Sequence, residues 1–159
     1  YQNEELFYIM QALNIEEDME NLRYDKVVIA TDSDVDGLHI RNLLITYFLS
    51  YFEQLVLSGH LYILETPLFR VRNKSKTIYC YDEEERDEAS AELGQKGLEI
   101  TRFKGLGEIS PDEFGQFIGE DIRLINVNVE HMRDVPEVLK FYMGGNTPER
   151  RQYIMNNLV

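Results

Sequence analysis

The residues best suited to chemistry are three aspartates at alternate positions, Asp32, Asp34 and Asp36. They come directly after an apolar run, residues 27–30, that is typical of a strand buried on both faces. If the chain stays extended here, the three carboxylates project to one side, where they repel one another unless a cation lies among them. Carboxylate oxygens are hard ligands that suit Mg²⁺ or Ca²⁺. The spacing therefore predicts a divalent-cation site.

Several interpretations of this acidic loop, residues 32–37, compete. An EF-hand opens with the same D-x-D-x-D-G pattern, but it follows a helix and needs a glutamate where Leu43 stands. A phosphatase of the haloacid-dehalogenase type would use Asp32 as nucleophile and Asp34 as acid, yet the second acidic pair of that family is not found downstream. A Toprim metal site has D-x-D-x-D-G as its usual form. A purely structural role, helix capping, needs only one aspartate.

Composition limits the possible partners. The 159 residues include 29 acidic and 16 basic side chains, a formal net charge of −13. So acidic a protein repels DNA overall, and any contact with DNA requires a local basic patch, a bound cation or a basic partner. The single cysteine, Cys80, excludes an intramolecular disulfide and fits a reducing compartment. Apolar stretches are too short to span a bilayer, so we expect no membrane association.

The elements around the acidic loop follow from the apolar spacing. Residues 4–13 predict a helix, and residues 27–30 predict the strand that leads into the loop. A helix should follow, with apolar positions from 40 to 56, its tyrosines and phenylalanines in the core, and an end at Ser58-Gly59. Residues 61–64 predict a second strand. This order indicates a right-handed βαβ crossover, and ligands bind at the carboxyl ends of such strands.

The second half of the sequence predicts a hairpin, an acidic solvated helix, a further strand and three more helices. These cover residues 69–81, 82–92 and 100–103, then a helix starting at Ser110, one at about 135–143 and one from Thr147. Ser110 and Glu113 have the spacing of a capping box, with proline at the first helical position. In the hairpin, basic residues alternate, which favours either a phosphate track or a solvated tip: Arg70, Arg72, Lys74 and Lys76.

At this point the sequence resembles a known family, the B subunits of bacterial type IIA topoisomerases. The matching segments occur in the family's order along nearly the whole chain. They are 29–41, the first (Toprim) signature; 59–63 and 66–69, the next strand; 103–109, the second signature, Phe-Lys-Gly-Leu-Gly-Glu-Ile; and 142–144 with 148–151. The short spacing between the two signatures resembles topoisomerase IV more than gyrases with a large insertion. The resemblance implies a Toprim-like α/β fold, a parallel sheet flanked by helices, with an α-rich C-terminal tail.

The family resemblance also implies a function and a set of partners. A tyrosine of the A subunit attacks DNA in an A₂B₂ assembly in the bacterial cytoplasm, and none of the ten tyrosines here is that nucleophile. Mg²⁺ is held by Asp32 and Asp34, with Asp36 as a weaker or indirect contributor. Residues from both signatures are expected to contact DNA or the A subunit: Arg41 at the end of the first, and Arg102, Lys104, Gly105 and Gly107 in or next to the second.

The sequence also departs from the family pattern. The family's first Toprim strand carries a Glu-Gly-Asp-Ser motif whose glutamate is a metal ligand and acid/base group, and nothing here matches it. The ATPase region is not found either, so ATP is expected to bind outside this chain. We therefore expect a partial Toprim domain with a hairpin insertion at residues 1–110 and a helical tail at 111–159, with an incomplete metal site and no activity alone.

Overall fold

The computed structural model describes residues 4–15 and 19–128. Its helices are α1 (Glu4–Leu13), α2 (Val35–Tyr51), α3 (Glu53–Leu57), α4 (Glu83–Leu93) and α5 (Pro111–Phe117), with a 3₁₀ turn at Leu106–Glu108. Its strands are β1 (Val27–Ile29), β2 (Leu61–Leu64), β3 (Phe69–Arg72), β4 (Thr77–Cys80), β5 (Glu99–Arg102) and β6 (Leu124–Asn126). The helices predicted at 135–143 and from Thr147 lie outside the described residues, as do the resembling segments 142–144 and 148–151.

Contacts divide the chain into two compact units. Unit 1 takes the described residues up to Val28, Asn42–Tyr62, and those from Asn126 on. Unit 2 comprises Ile29–Arg41 and Ile63–Ile125, and it contains every predicted site residue. The predicted boundary after residue 110 stays a prediction, because most of 111–159 lies outside the described residues.

Unit 1 has its core around the second half of α2. Tyr47 and Phe48 are buried with their ring centroids 5.3 Å apart, and the Tyr47 hydroxyl donates to the Leu6 carbonyl at 3.1 Å. The long helix predicted through position 56 is interrupted at Phe52, which has φ −138° and ψ 50°. Tyr51, predicted in the core, is 61% exposed. The predicted end is confirmed, since Gly59 adopts φ +78°, where glycine avoids the strain of a Cβ.

The described residues form two small sheets, in the orders β1-β2-β6 and β4-β3-β5. The predicted hairpin is confirmed: β3 and β4 pair antiparallel with Phe69 opposite Cys80, and β5 pairs antiparallel on the other side of β3. Strand β1 was expected to be buried on both faces, but it is three residues long and Val28 is 38% exposed. Strand β6 was not predicted. Among the described residues, no helix is both long and apolar enough to cross a bilayer.

Candidate functional site

The acidic loop is held in place by the start of α2. Strand β1 ends at Ile29 and α2 begins at Val35, so Asp34 stands immediately before the helix. Its Oδ1 accepts a hydrogen bond from the Gly37 amide at 2.7 Å, which is the geometry of a helix N-cap. Gly37 is buried, and a Cβ there would overlap the Asp32 carbonyl. Only glycine therefore fits at this position, and the loop folds tightly onto the helix start.

Asp32 is engaged by a distant segment of the same unit. Its Oδ1 accepts a hydrogen bond from the Leu106 amide at 2.6 Å, across 74 residues of sequence. Leu106 belongs to the Lys-Gly-Leu-Gly-Glu segment, residues 104–108 (the glycine loop). Next to Asp32, the Ser33 hydroxyl lies 3.3 Å from the hydroxyl of Thr66, which is buried. The structure thus brings together the two segments whose motifs the sequence had singled out.

The three aspartates do not have equivalent positions. All are exposed, but Asp36 lies in the first turn of α2, so the alternation of an extended chain does not reach it. Within residues 4–15 and 19–128, the Oδ2 atoms of Asp32 and Asp34 receive no hydrogen bond. No group of three or more His, Cys, Asp or Glu side chains in that part of the chain is placed to hold a metal ion. Carboxylate oxygens such as those of Asp32 and Asp34 are ligands that suit Mg²⁺, and the metal site at Asp32, Asp34 and Asp36 stays a prediction.

The predicted basic contacts lie in the same unit but are not paired with the acidic loop. Lys104 is exposed, and its amide donates to the Glu108 carboxylate at 2.9 Å. Arg102 is also exposed, with its guanidinium 5.9 Å from the centroid of the Phe69 ring. Partial burial lowers the pKa of the Arg41 guanidinium, and Arg41 forms no ion pair within the described residues. Within the described residues, Lys104 and Arg102 form no ion pair either, and the predicted contact role of all three stays a prediction.

The basic residues of the hairpin have carboxylate partners. Arg72 forms two hydrogen bonds of 3.0 Å to Glu99, and Lys76 pairs with Glu92. Arg70 pairs with Glu113 at 2.5 Å. With three of the four charges neutralised in this way, the structure favours the solvated hairpin over the phosphate track.

Sequence reasoning missed a cluster of polar side chains around Glu113, which was noted only for its capping box. Oε1 of Glu113 accepts hydrogen bonds from Arg70 and from the Tyr79 hydroxyl at 2.9 Å, while Oε2 accepts from the amide and hydroxyl of Ser110. The hydrogen bond from Arg70 is the main reason that the pKa of Glu113 falls to about 2. Burial, reinforced by Glu113, raises the pKa of Tyr79 to about 12. All three side chains are partly buried, and we call Arg70, Tyr79 and Glu113 the partly buried ion cluster.

Two family models match separate parts of the chain. Residues 6–66 match the Toprim domain, and residues 95–155 match the model described as DNA gyrase B subunit, carboxyl terminus. The first match contains the acidic loop and the second contains the glycine loop. The two segments joined by the hydrogen bond between Asp32 and Leu106 therefore each fall within a recognised family region.

Curated relatives and a solved structure extend these matches. The B subunit of DNA topoisomerase 4 from Borreliella burgdorferi is 62% identical over 160 residues, covering 100% of this chain and 26% of the relative. The B subunit of DNA gyrase from Clostridium acetobutylicum is 37% identical over 144 residues, covering 88% of this chain and 23% of the relative. The chain thus spans about a quarter of their length.

The structural match concerns the fold. The crystal structure of the Plasmodium falciparum topoisomerase II DNA-binding, cleavage and re-ligation domain matches with a TM-score of 0.74 and 24% sequence identity. The match covers 99% of this chain and 23% of that one. The predicted Toprim-like α/β fold is confirmed.

Proposed function

Because this chain belongs to the family of type II DNA topoisomerase B subunits, we propose that it holds Mg²⁺ for the ATP-dependent cleavage and religation of double-stranded DNA. It would act as part of a longer B subunit, since it spans 26% of the Borreliella relative. The 62% identity to the topoisomerase 4 subunit of Borreliella burgdorferi supports the topoisomerase IV type.

One observation carries this proposal: Asp32 and Asp34 are exposed, and each uses one carboxylate oxygen for a backbone amide while the other is uncommitted within the described residues. A hard cation binds to oxygens of this kind. Two carboxylates are fewer ligands than a divalent cation takes, so the remaining ligands come from Asp36, water, DNA or acids elsewhere in the B subunit. This agrees with the expectation that the family's glutamate lies elsewhere in the B subunit.

The chain's own residues then have distinct roles. The start of α2 and the glycine loop hold the two carboxylates in fixed positions. When bound, Mg²⁺ stabilises the charge that develops on the phosphate and on the leaving oxygen. Lys104 and Arg102 are exposed in the same unit, where they can bind DNA phosphates or an acidic surface of the A subunit. A tyrosine of the A subunit supplies the nucleophile, and ATP binds in another region of the B subunit.

Charge explains why such a chain needs partners. With a net charge of −13, its attraction for DNA comes from the cation, from local basic residues and from the A subunit. From its family, we propose that the chain works in an A₂B₂ assembly in the bacterial cytoplasm. Alone, it is expected to cleave no DNA.

The direct test is Mg²⁺-dependent DNA cleavage by a complete B subunit, containing this chain, assembled with its A subunit. Asp32→Asn keeps an oxygen that accepts from the Leu106 amide but removes the negative charge, so cleavage should fall by a hundredfold or more. Asp82→Asn is the matched control, because Asp82 caps α4 through an equivalent 2.7 Å hydrogen bond, and cleavage should not change. Equal cleavage by both variants would refute the metal-binding role.

A phosphatase assay separates the alternative enzyme class. A haloacid-dehalogenase-type phosphatase would hydrolyse p-nitrophenyl phosphate in the presence of Mg²⁺, and Asp32→Asn would abolish that activity. We expect the 159-residue chain to show no turnover. Turnover that depends on Asp32 would overturn the topoisomerase proposal in favour of the phosphatase.

A further inference from the structure

Gly105 lies directly against the Asp32 carboxylate. Its backbone has φ −142° and ψ 160°, an extended conformation that any residue adopts, so conformational freedom does not explain a glycine here. A Cβ at this position would stand 3.2 Å from Cγ and Oδ1 of Asp32 and 3.3 Å from Oδ2. These distances are shorter than ordinary van der Waals contact. A side chain at position 105 would therefore shift the Asp32 carboxylate by a few tenths of an ångström.

The other glycine of the loop is in a different situation. A Cβ at Gly107 would meet no atom within 4 Å. The close approach is thus a property of position 105, not of the glycine loop as a whole. Gly105 also directly precedes Leu106, whose amide donates the hydrogen bond to Asp32.

The Leu106 amide is a firmly held donor. The Glu108 amide donates to the Gly105 carbonyl and the Ile109 amide donates to the Leu106 carbonyl, both at 3.1 Å. Phe103 and Ile109, on either side of the turn, are buried. A hydrogen bond from an amide to a carboxylate is charge-assisted and restricts the rotation of the carboxylate. Because it uses Oδ1, it leaves Oδ2 of Asp32 open.

We propose that Gly105 and the Leu106 amide position the Asp32 carboxylate for the cation, with Gly105 supplying the space and Leu106 the hydrogen bond. The second signature of the chain thereby serves the metal site of the first. This inference rests on the proposed function, because it assumes that Asp32 binds the cation. Gly105 is a positioning residue, acting through Asp32.

Mn²⁺ binding, measured by EPR on the complete B subunit, tests the proposal. Asp32→Asn should remove one Mn²⁺ site. Gly105→Ala should weaken Mn²⁺ binding at that same site by about tenfold to a hundredfold, the usual effect of losing a group that orients a ligand. Gly115→Ala is the control, because a Cβ at Gly115 would meet no atom within 4 Å. This variant should bind Mn²⁺ like the wild type. Thermal unfolding should be the same for the wild type and Gly105→Ala, because alanine adopts the Gly105 backbone conformation.

The outcomes separate the two proposals. If Asp32→Asn leaves Mn²⁺ affinity unchanged, the proposed metal site fails. If Asp32→Asn weakens Mn²⁺ binding while Gly105→Ala behaves like Gly115→Ala, only the positioning role is overturned.

A metal-free measurement covers the case in which Gly105→Ala does not fold. In NMR spectra of the ¹⁵N-labelled 159-residue chain, the Leu106 amide proton should move upfield in Asp32→Ala, which removes the acceptor. An unchanged Leu106 resonance would overturn the positioning role.

Discussion

The carboxylates of the acidic loop and the carboxylate of the partly buried ion cluster are used in opposite ways. Glu113 accepts four hydrogen bonds through both of its oxygens, and its side chain and that of Arg70 are each 18% exposed. Asp32 and Asp34 are exposed, and from the part of the chain that the structure describes they accept one hydrogen bond each. Glu113 has little capacity left for a ligand, whereas the two aspartates have an oxygen each to offer.

Within one unit, the number of hydrogen bonds that a carboxylate accepts thus separates a structural acid from the acids proposed to bind a cation. Pairing and hydrogen bonding favour the charged form of a carboxylate and stabilise the fold that supplies them. A carboxylate that binds a cation must instead be fixed in position without being saturated. The backbone amides of Gly37 and Leu106 meet this requirement, because each occupies a single oxygen and introduces no competing positive side chain.

DNA cleavage should respond most strongly, to a substitution of Asp34. Asparagine caps helices as well as aspartate does, so Asp34→Asn should retain stability and lose at least a hundredfold in cleavage by the complete assembly. Asp34→Ala should lose the cleavage and, in addition, about 1 kcal/mol of stability. Cleavage assays and urea unfolding measure the two effects separately.

Asp82 again provides the matched control for the cap. Asp82→Ala should cost a similar amount, about 1 kcal/mol, and leave cleavage unchanged, because it caps α4 outside the site. Should Asp34→Asn retain full cleavage, Asp34 is only a cap, and the contrast between the two kinds of carboxylate is lost for this residue.

Next in size is the stability contributed by Glu113. Glu113→Gln removes the charge that compensates Arg70, and it should lower the free energy of unfolding by about 2 kcal/mol at pH 7. Because the folded-state pKa is about 2, below the ordinary 4.5, this stabilisation is complete above pH 4.5 and is lost as the pH falls toward 2. Urea unfolding at pH 7 and pH 3 should show a smaller difference between wild type and variant at pH 3.

An exposed ion pair serves as the reference for this prediction. Glu92 pairs with Lys76 at the surface, where both side chains are more than half exposed, so Glu92→Gln should change stability by no more than about 0.5 kcal/mol. If Glu92→Gln and Glu113→Gln lower the free energy of unfolding equally, the partial burial of the ion cluster adds nothing to stability.

The sequence predicted contacts between residues that are close along the chain, and it did not predict contacts between residues that are far apart along it. The capping box of Ser110 and Glu113, the hairpin of β3 and β4, and the end at Gly59 are local, and all are confirmed. The contact of Asp32 with Leu106 is not local, and a backbone amide leaves no mark in the sequence.

The errors have the same origin. The alternating basic residues were correctly placed on a hairpin, but their partners come from α4, β5 and α5, which pattern analysis does not bring together. The interruption of the long helix at Phe52 also escaped prediction, because the apolar spacing continues through it. Tertiary packing decides such features, and local spacing does not encode it.

The smallest effect concerns Tyr79, whose hydroxyl donates to Glu113. Tyr79→Phe should cost about 1 kcal/mol at pH 7, the contribution of one hydrogen bond. The pKa of Tyr79 is raised from 10 to about 12, so the stability it adds is complete below pH 10 and is lost as the pH rises through 12. In a titration followed by tyrosinate absorbance, the variant should lack a step near pH 12 that the wild type shows.

Tyr24→Phe is the control, because the Tyr24 side chain is 52% exposed, and it should leave stability unchanged. If Tyr79→Phe were equally silent, Glu113 would be held by Arg70 and Ser110 alone, and its saturation, on which the contrast with Asp32 and Asp34 depends, would be weaker by one hydrogen bond.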